Sequence, residues 1–211
     1  MITKNFSRVC LLISAALLSL TYFFPLWKIG LTAPQYPEGL NLNIHLSKVT
    51  GDLGNINILN HYIGMHKIIP EEIPELRIFI WIFSALIITA IVAALFNKRW
   101  MLYGWTAIFL VFSLIALVDF YNWEYKYGHE LNPDAAIIME GETYQPPLIG
   151  TKDIMNITAT SWPGLGGMGH MAALILVLFA SVKEFKNSAN SKNKEVGASI
   201  ALAFIILPVF F

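Results

Sequence analysis

The segment "NHYIGMH", residues 60–66, places two imidazoles and a thioether close together in His61, Met65 and His66. A second group of the same kind, Met168, His170 and Met171, stands near the start of a later apolar stretch. Imidazole and thioether are the donors that Cu(I) prefers. On a helix His61 and Met65 are four residues apart and share a face, with His66 pointing elsewhere; Met168 and Met171 pair three apart, with His170 projecting differently. The set His61, Met65, His66, Met168 and His170 is therefore a candidate copper site, with His61 and Met65 as its primary ligands. The same residues also suit plain packing at a membrane rim, where methionine fills irregular apolar gaps and histidine hydrogen-bonds. Spacing leaves both readings open, because no cysteine pair accompanies them.

These residues need a scaffold, and the composition says what kind. Only 13% of the 211 residues are charged and 56% are apolar, against about 25% and 45–50% in a soluble domain. Mean hydropathy is +0.59. The apolar residues come in runs near the length that crosses a bilayer: residues 9–27, 76–96, 100–118 and 165–182, and a shorter one at 196–211. The last would reach about 24 Å at 1.5 Å per residue, short of the roughly 30 Å hydrocarbon core. It crosses with local thinning of the bilayer or forms a half-inserted tail. The first run follows Lys4 and Arg8 but lacks a small-residue cleavage pattern before "TYFFPLW", so it reads as a retained helix and not a cleaved signal.

Lys and Arg concentrate in the short flanks. Lys4, Arg8, Lys98, Arg99, Lys183, Lys186, Lys192 and Lys194 fall there, and the two long connections, about 28–75 and 119–164, hold only Lys28, Lys48, Lys67, Lys126 and Lys152. The positive-inside rule makes the short segments and the N-terminus cytoplasmic and both long loops extracytoplasmic. All five histidines (His45, His61, His66, His129 and His170) then lie in the outward half, with Met65, Met139, Met155, Met168 and Met171; Met1 and Met101 lie near the cytoplasm. That one-sidedness is what an extracytoplasmic copper site needs. The expected fold is one all-α integral membrane domain over residues 1–211, a bundle of four to five transmembrane helices whose two outer loops carry a short β-strand element. The lone cysteine, Cys10, permits no intrachain disulfide and reads as a small apolar residue.

The loops carry local signals. Leu40, Leu42, Ile44 and Leu46 alternate with Asn41, Asn43, His45 and Ser47, the period of a half-buried strand with His45 on its polar side. "IPEEIPE" leads into a helix, with Pro74 in its first turn and Glu75 beside its positive end. Tyr121, Trp123, Tyr125 and Tyr127 read as interfacial anchors, and Tyr144–Gln145–Pro146–Pro147 as a stiff extended piece. Thr160–Ser161–Trp162–Pro163 is expected to cap the next helix, and Gly164, Gly166, Gly167 and Gly169 to admit another backbone against its end.

No nucleophile elbow, metalloprotease, phosphate-loop or dinucleotide pattern occurs. The loop carboxylates and His129 fall in no catalytic spacing, and the middle of each run is free of charge, unlike a proton relay or a transporter of charged substrates. The expectation is a protein without catalytic residues. Zero net charge and the lack of a basic patch point away from nucleic acid.

At "PQYPEGL" (34–40), "NINILNHYIGMHKI" (55–68) and "YQPPLIGTKDIMNITATSWPGLGG" (144–167) the chain resembles small polytopic membrane proteins encoded beside nitrous-oxide reductase maturation components in some bacterial gene clusters. The resemblance implies an accessory protein of the bacterial inner membrane that assists copper delivery to, or assembly of, a periplasmic copper enzyme. It carries over no catalytic residues. The alternative is a non-catalytic structural subunit, with no metal of its own, whose outer loops dock a protein partner in the membrane or periplasm.

Overall fold

The computed structural model describes residues 4–137, 143–154 and 156–206, with side chains described within 5–190 of those ranges. Met139, Glu140, Glu142 and Met155, which the sequence places in the second outer loop, lie outside them.

Four helical spans are long and apolar enough to cross a membrane, Asn5–Tyr22, Glu75–Phe96, Arg99–His129 and Leu165–Asn190; they belong to α1 (Lys4–Ser19) with the 3-10 turn Leu20–Tyr22 that continues it, α3 (Glu75–Phe96), α4 (Arg99–His129) and α5 (Leu165–Ile206). At 1.5 Å per residue, the 22 residues of α3 span about 33 Å, enough for a hydrocarbon core of roughly 30 Å. Inside the bundle Leu18, Phe83, Ala90, Phe109, Ala173 and Val177 are buried in one cluster. Outside, Trp81, Leu95, Ile115 and Phe179 are exposed. A helix that is apolar on both its inner and outer faces suits a bilayer and not water. The few polar groups inside close on neighbours: Ser14 Oγ donates to the Ala173 carbonyl at 3.3 Å, Trp105 Nε1 to the Leu86 carbonyl at 3.1 Å, and Thr106 pairs with Ser181 at 2.9 Å. Cys10 is buried and free.

One end of the bundle carries an antiparallel sheet of order β3-β2-β1-β5-β4. The segment before α3 supplies β1 (Trp27–Ala33), β2 (Tyr36–Ile44) and β3 (Val49–Gly51), then α2 (Leu53–Ile63); the segment before α5 supplies β4 (Gly150–Ile154) and β5 (Ile157–Pro163). Of the strand expected at residues 40–47, residues 40–44 form the second half of β2 and 45–47 lie beyond its end; four more strands join it. Register explains the sheet's two faces. Ile29 pairs with Leu42 and Ser161, Leu31 with Leu40 and Ala159, and Trp27 with Ile44 and Pro163. These residues share one face, and Lys28, Asn41, Asn43, Thr158 and Thr160 share the other. The apolar face turns toward α2 and the bundle, burying Leu40, Leu42 and Ile56 together.

Three expectations are corrected. Residues 119–129, expected at the start of the second loop, are helical, because α4 runs through to His129; its 31 residues reach about 46 Å, well beyond a bilayer core. Thr160–Pro163 are strand residues of β5, not a helix cap; paired with β1, their backbone has no freedom to turn. His61 and Met65 do not share a helix face, since α2 ends at Ile63 and Gly64 follows in the left-handed conformation at φ 79°. Residues 196–206, the start of the fifth apolar run, continue α5 without a break from Leu165.

The glycines before and within α5 do what their spacing suggests. A Cβ at Gly164 or Gly167 would collide with the Pro25 or Leu26 carbonyl, and one at Gly166 would lie 2.7 Å from the Phe24 carbonyl oxygen. The approach is used: Gly164 N–H donates to the Leu26 carbonyl and Gly166 N–H to the Pro25 carbonyl, each at 3.0 Å. Backbone carbonyls of the α1–β1 connection thus satisfy amides at the start of α5, where a side-chain cap was expected.

Candidate functional site

Between the apolar face of the sheet and the bundle lies a chamber of about 190 Å³. Its roof is the sheet, through Ile29, Leu31, Leu42 and Ala159. Ile56, Leu59 and Ile63 of α2 form one side. Leu76 and Phe79 of α3 and Phe120, Trp123 and Tyr127 of α4 form the floor. The extension of α4 past its apolar run provides most of that floor. Ala116, Phe120, Trp123, Glu124 and Tyr127 all line the chamber, and their spacing of three and four residues is that of one helix face. Trp123 stacks on Tyr127 at 4.0 Å. The Trp27 ring lies 5.1 Å from Phe120 and donates Nε1–H to Ser161 Oγ at 2.7 Å, so sheet and helix are fastened together at one rim. At the other rim Tyr144 N–H donates to the Gly128 carbonyl at 3.1 Å. The chain passes so close there that a Cβ on Gly128 would meet the Gln145 backbone.

The walls are apolar, yet particular polar groups are set into them. Glu124 is only 4% exposed and Tyr144 only 3%. Neither carboxylate oxygen of Glu124, nor Tyr144 Oη, nor Glu75 Oε2 has a hydrogen-bond partner among the described residues. All three residues line the chamber. Buried polar groups are normally paired, and an unpaired buried carboxylate is among the costliest arrangements a fold can hold. Elsewhere Glu184, 2% exposed, is ion-paired with Arg99 at 2.7 Å, and buried Ser161 donates to the Leu148 carbonyl, while His170 Nδ1 in the bundle has no hydrogen-bond partner among the described residues. The buried carboxylate oxygens that lack both a hydrogen bond and an ion pair among the described residues belong to Glu75 and Glu124, at the chamber.

The five proposed copper ligands fall in separate surroundings. His61 is exposed beside Tyr62. His66 is exposed, 3.9 Å from Glu130 and near Tyr127. Met65 lines the chamber and packs with Tyr144, Ile154 and Ala159. Met168 is 53% exposed on α5. His170 lies in the bundle, its Nε2 2.9 Å from Ser113 Oγ and its ring 4.9 Å from that of Phe109 and 5.6 Å from that of Phe83. His66 and Met65 stay near one another by sequence, whereas His170 keeps aromatic company of its own. No group of three or more His, Cys, Asp or Glu side chains suited to a metal ion occurs among the described residues.

In the sequence Glu75 reads as a helix-end acid, Tyr144 as part of a stiff extended piece and Glu124 as one of the carboxylates of the second long connection, and no spacing joins the three. The available signal was the helical spacing continuing from Ala116 to Tyr127. No family model matches the chain, and no curated protein matches it in sequence.

Proposed function

We propose that this chain is a membrane-embedded, non-catalytic binding protein that holds a small amphipathic molecule between its sheet and the ends of α3 and α4. The observation that carries this is an apolar chamber lined by carboxylate oxygens that are buried and have no hydrogen-bond partner among the described residues. A ligand site is typically an apolar concavity with a few placed polar groups. An apolar cavity of roughly 150 Å³ accommodates a benzene-sized molecule, so about 190 Å³ suits a single ring or a short alkyl body. The basic residues flanking the opposite end of the bundle support an extracytoplasmic chamber and a cytoplasmic N-terminus, as in a bacterial inner-membrane protein. An accessory role beside a copper enzyme fits a binding protein of this kind. Direct copper chemistry receives less support, since Met65 alone of the proposed ligands lines the chamber.

Native mass spectrometry of protein released from nanodiscs tests the reading, with 4-phenylbutanol as the probe. One bound equivalent is expected. It should be lost in Ala159→Phe and Ala116→Phe, which fill the chamber from roof and floor respectively. Equal retention in the wild type and both filled variants would remove the chamber as a binding site.

A further inference from the structure

We infer that the chamber selects molecules bearing a protonated amine, with Glu124 as the group that receives it. This rests on the binding role proposed above and adds the chemistry of the ligand's head. Among the described residues, the ionisable ones lining the chamber are Glu75, Asp119, Glu124, Tyr127 and Tyr144, with no Lys, Arg or His. Every ionisable group there is therefore an acid or a phenol; the buried carboxamide of Asn60, also in the lining, gives its Nδ2–H to the His66 carbonyl at 3.2 Å. Glu124 is almost wholly buried, and both its oxygens are without a hydrogen-bond partner among the described residues. Tyr144 Oη and Glu75 Oε2 are likewise without one in the same walls. An alkylammonium carries three N–H donors and no acceptor, which is the complement of a lining that offers carboxylate and phenol oxygens. It also supplies the positive charge that a buried carboxylate lacks. An anionic head would add like charge to three acids. A neutral hydroxyl offers one donor against the ammonium's three. The apolar walls receive the body of the molecule, as in other sites where a few polar groups fix orientation.

Two sources share this chemistry, an ethanolamine-type lipid headgroup and a free hydrophobic amine. The test uses the full chain in nanodiscs of phosphatidylcholine, whose quaternary ammonium has no N–H to donate. Binding of 4-phenylbutylamine, 4-phenylbutanol and 4-phenylbutanoate is compared in the wild type and Glu124→Gln. The amine is expected to bind about ten- to a hundredfold tighter than the alcohol, the worth of a charge-assisted hydrogen bond, and the butanoate weakest. Glu124→Gln should remove that preference and leave the alcohol's affinity within about twofold. Glu75→Gln, at a less buried position, should reduce the preference in part and serves if Glu124→Gln does not fold. Competition by added phosphatidylethanolamine assigns the lipid as source; its absence with the amine still bound assigns a free amine. If alcohol and amine bind equally and Glu124→Gln changes neither, amine selection is wrong while the chamber stands. If none of the three probes binds, the chamber reading fails with it.

Discussion

Gly167→Ala tests the joint on which the chamber hangs. Its Cβ would be driven into the Leu26 carbonyl oxygen, and that atom is backbone held on two sides. The Leu26 carbonyl accepts Gly164 N–H at 3.0 Å, and Leu26 N–H donates to the Ile44 carbonyl at 2.7 Å. Neither can swing aside as a side chain would. Relief requires α5 to back away by roughly 1 Å, which stretches the Gly164–Leu26 and Gly166–Pro25 hydrogen bonds out of useful range. Overpacking costs about 1–3 kcal/mol, and each lost hydrogen bond about 0.5–1.5 kcal/mol. The sum is about 2–6 kcal/mol, or a fall in Tm of about 4–24 °C for a chain of this length. Thermal unfolding of purified protein in detergent, followed by circular dichroism, measures it. Gly104→Ala is the control: nothing lies within 4 Å of the Cβ it would gain in α4, so it should be neutral or stabilising by up to about 1 kcal/mol. Equal Tm values for the two variants would refute the close approach as the determinant of this joint. Because Leu26 leads into β1 and Gly164 follows β5, Gly167→Ala should also weaken 4-phenylbutanol binding.

Arg99→Ala strips Glu184 of its ion-pair partner and should cost about 3 kcal/mol, the low end for breaking a buried pair because the arginine side chain is 37% exposed; Arg99→Ala with Glu184→Gln should recover part of the lost Tm. His45 is held below its ordinary pKa of 6.5, first by burial and then by the nearby Lys48 charge. The folded state therefore binds that proton less readily than the unfolded state, and the associated stability is present above pH 6.5 and declines as the pH falls below it; His45→Gln should flatten the drop in Tm between pH 7 and pH 5. Joint His61→Ala and Met65→Ala substitution should leave anaerobic Cu(I) stoichiometry unchanged, since His61 faces solvent while Met65 lines the chamber; a loss of one equivalent would restore them as ligands.

The membrane-type helices were legible because a long apolar run announces itself residue by residue. The glycine approach at α5 was legible for a similar reason, four small residues standing in one short stretch. The strand at Leu40–Leu46 showed its period of two, but its partners did not. β5 reads "ITATSWP", whose Ser161 and Trp162 resemble a helix start, and only pairing with Trp27 and Ile29 makes it a strand. Such pairing is long-range and leaves little trace in local sequence. α4 was cut short because its apolar run stops at Val118, although the helix continues as an amphipathic segment with a different solvent on each face. The chamber draws its acids and phenols from three parts of the chain, α3, α4 and the segment at Tyr144, and none of those parts carries a motif by itself. The His and Met cluster failed as a guide for the opposite reason. Its residues are close in sequence, but a left-handed glycine at position 64 turns Met65 off the helix that carries His61.

The sheet is stitched from both ends of its own enclosure, and that sets a timetable. Gly30 of β1 bonds to Thr160 of β5 across 130 residues, with α2, α3 and α4 in between. At about 5–20 residues per second, β1 waits on the order of 6–26 s after leaving the ribosome for the strand that completes it. Through that interval β1, β2 and β3 stand as a three-stranded ribbon with one edge unsatisfied, the state most prone to pairing with a wrong strand. Lys28, Gly30 and Thr32 on that edge strand, alternating with Trp27, Ile29 and Leu31, keep it from being apolar on both faces. The chamber thus closes late, only when β5 arrives, with α5 alone of the described elements still to follow.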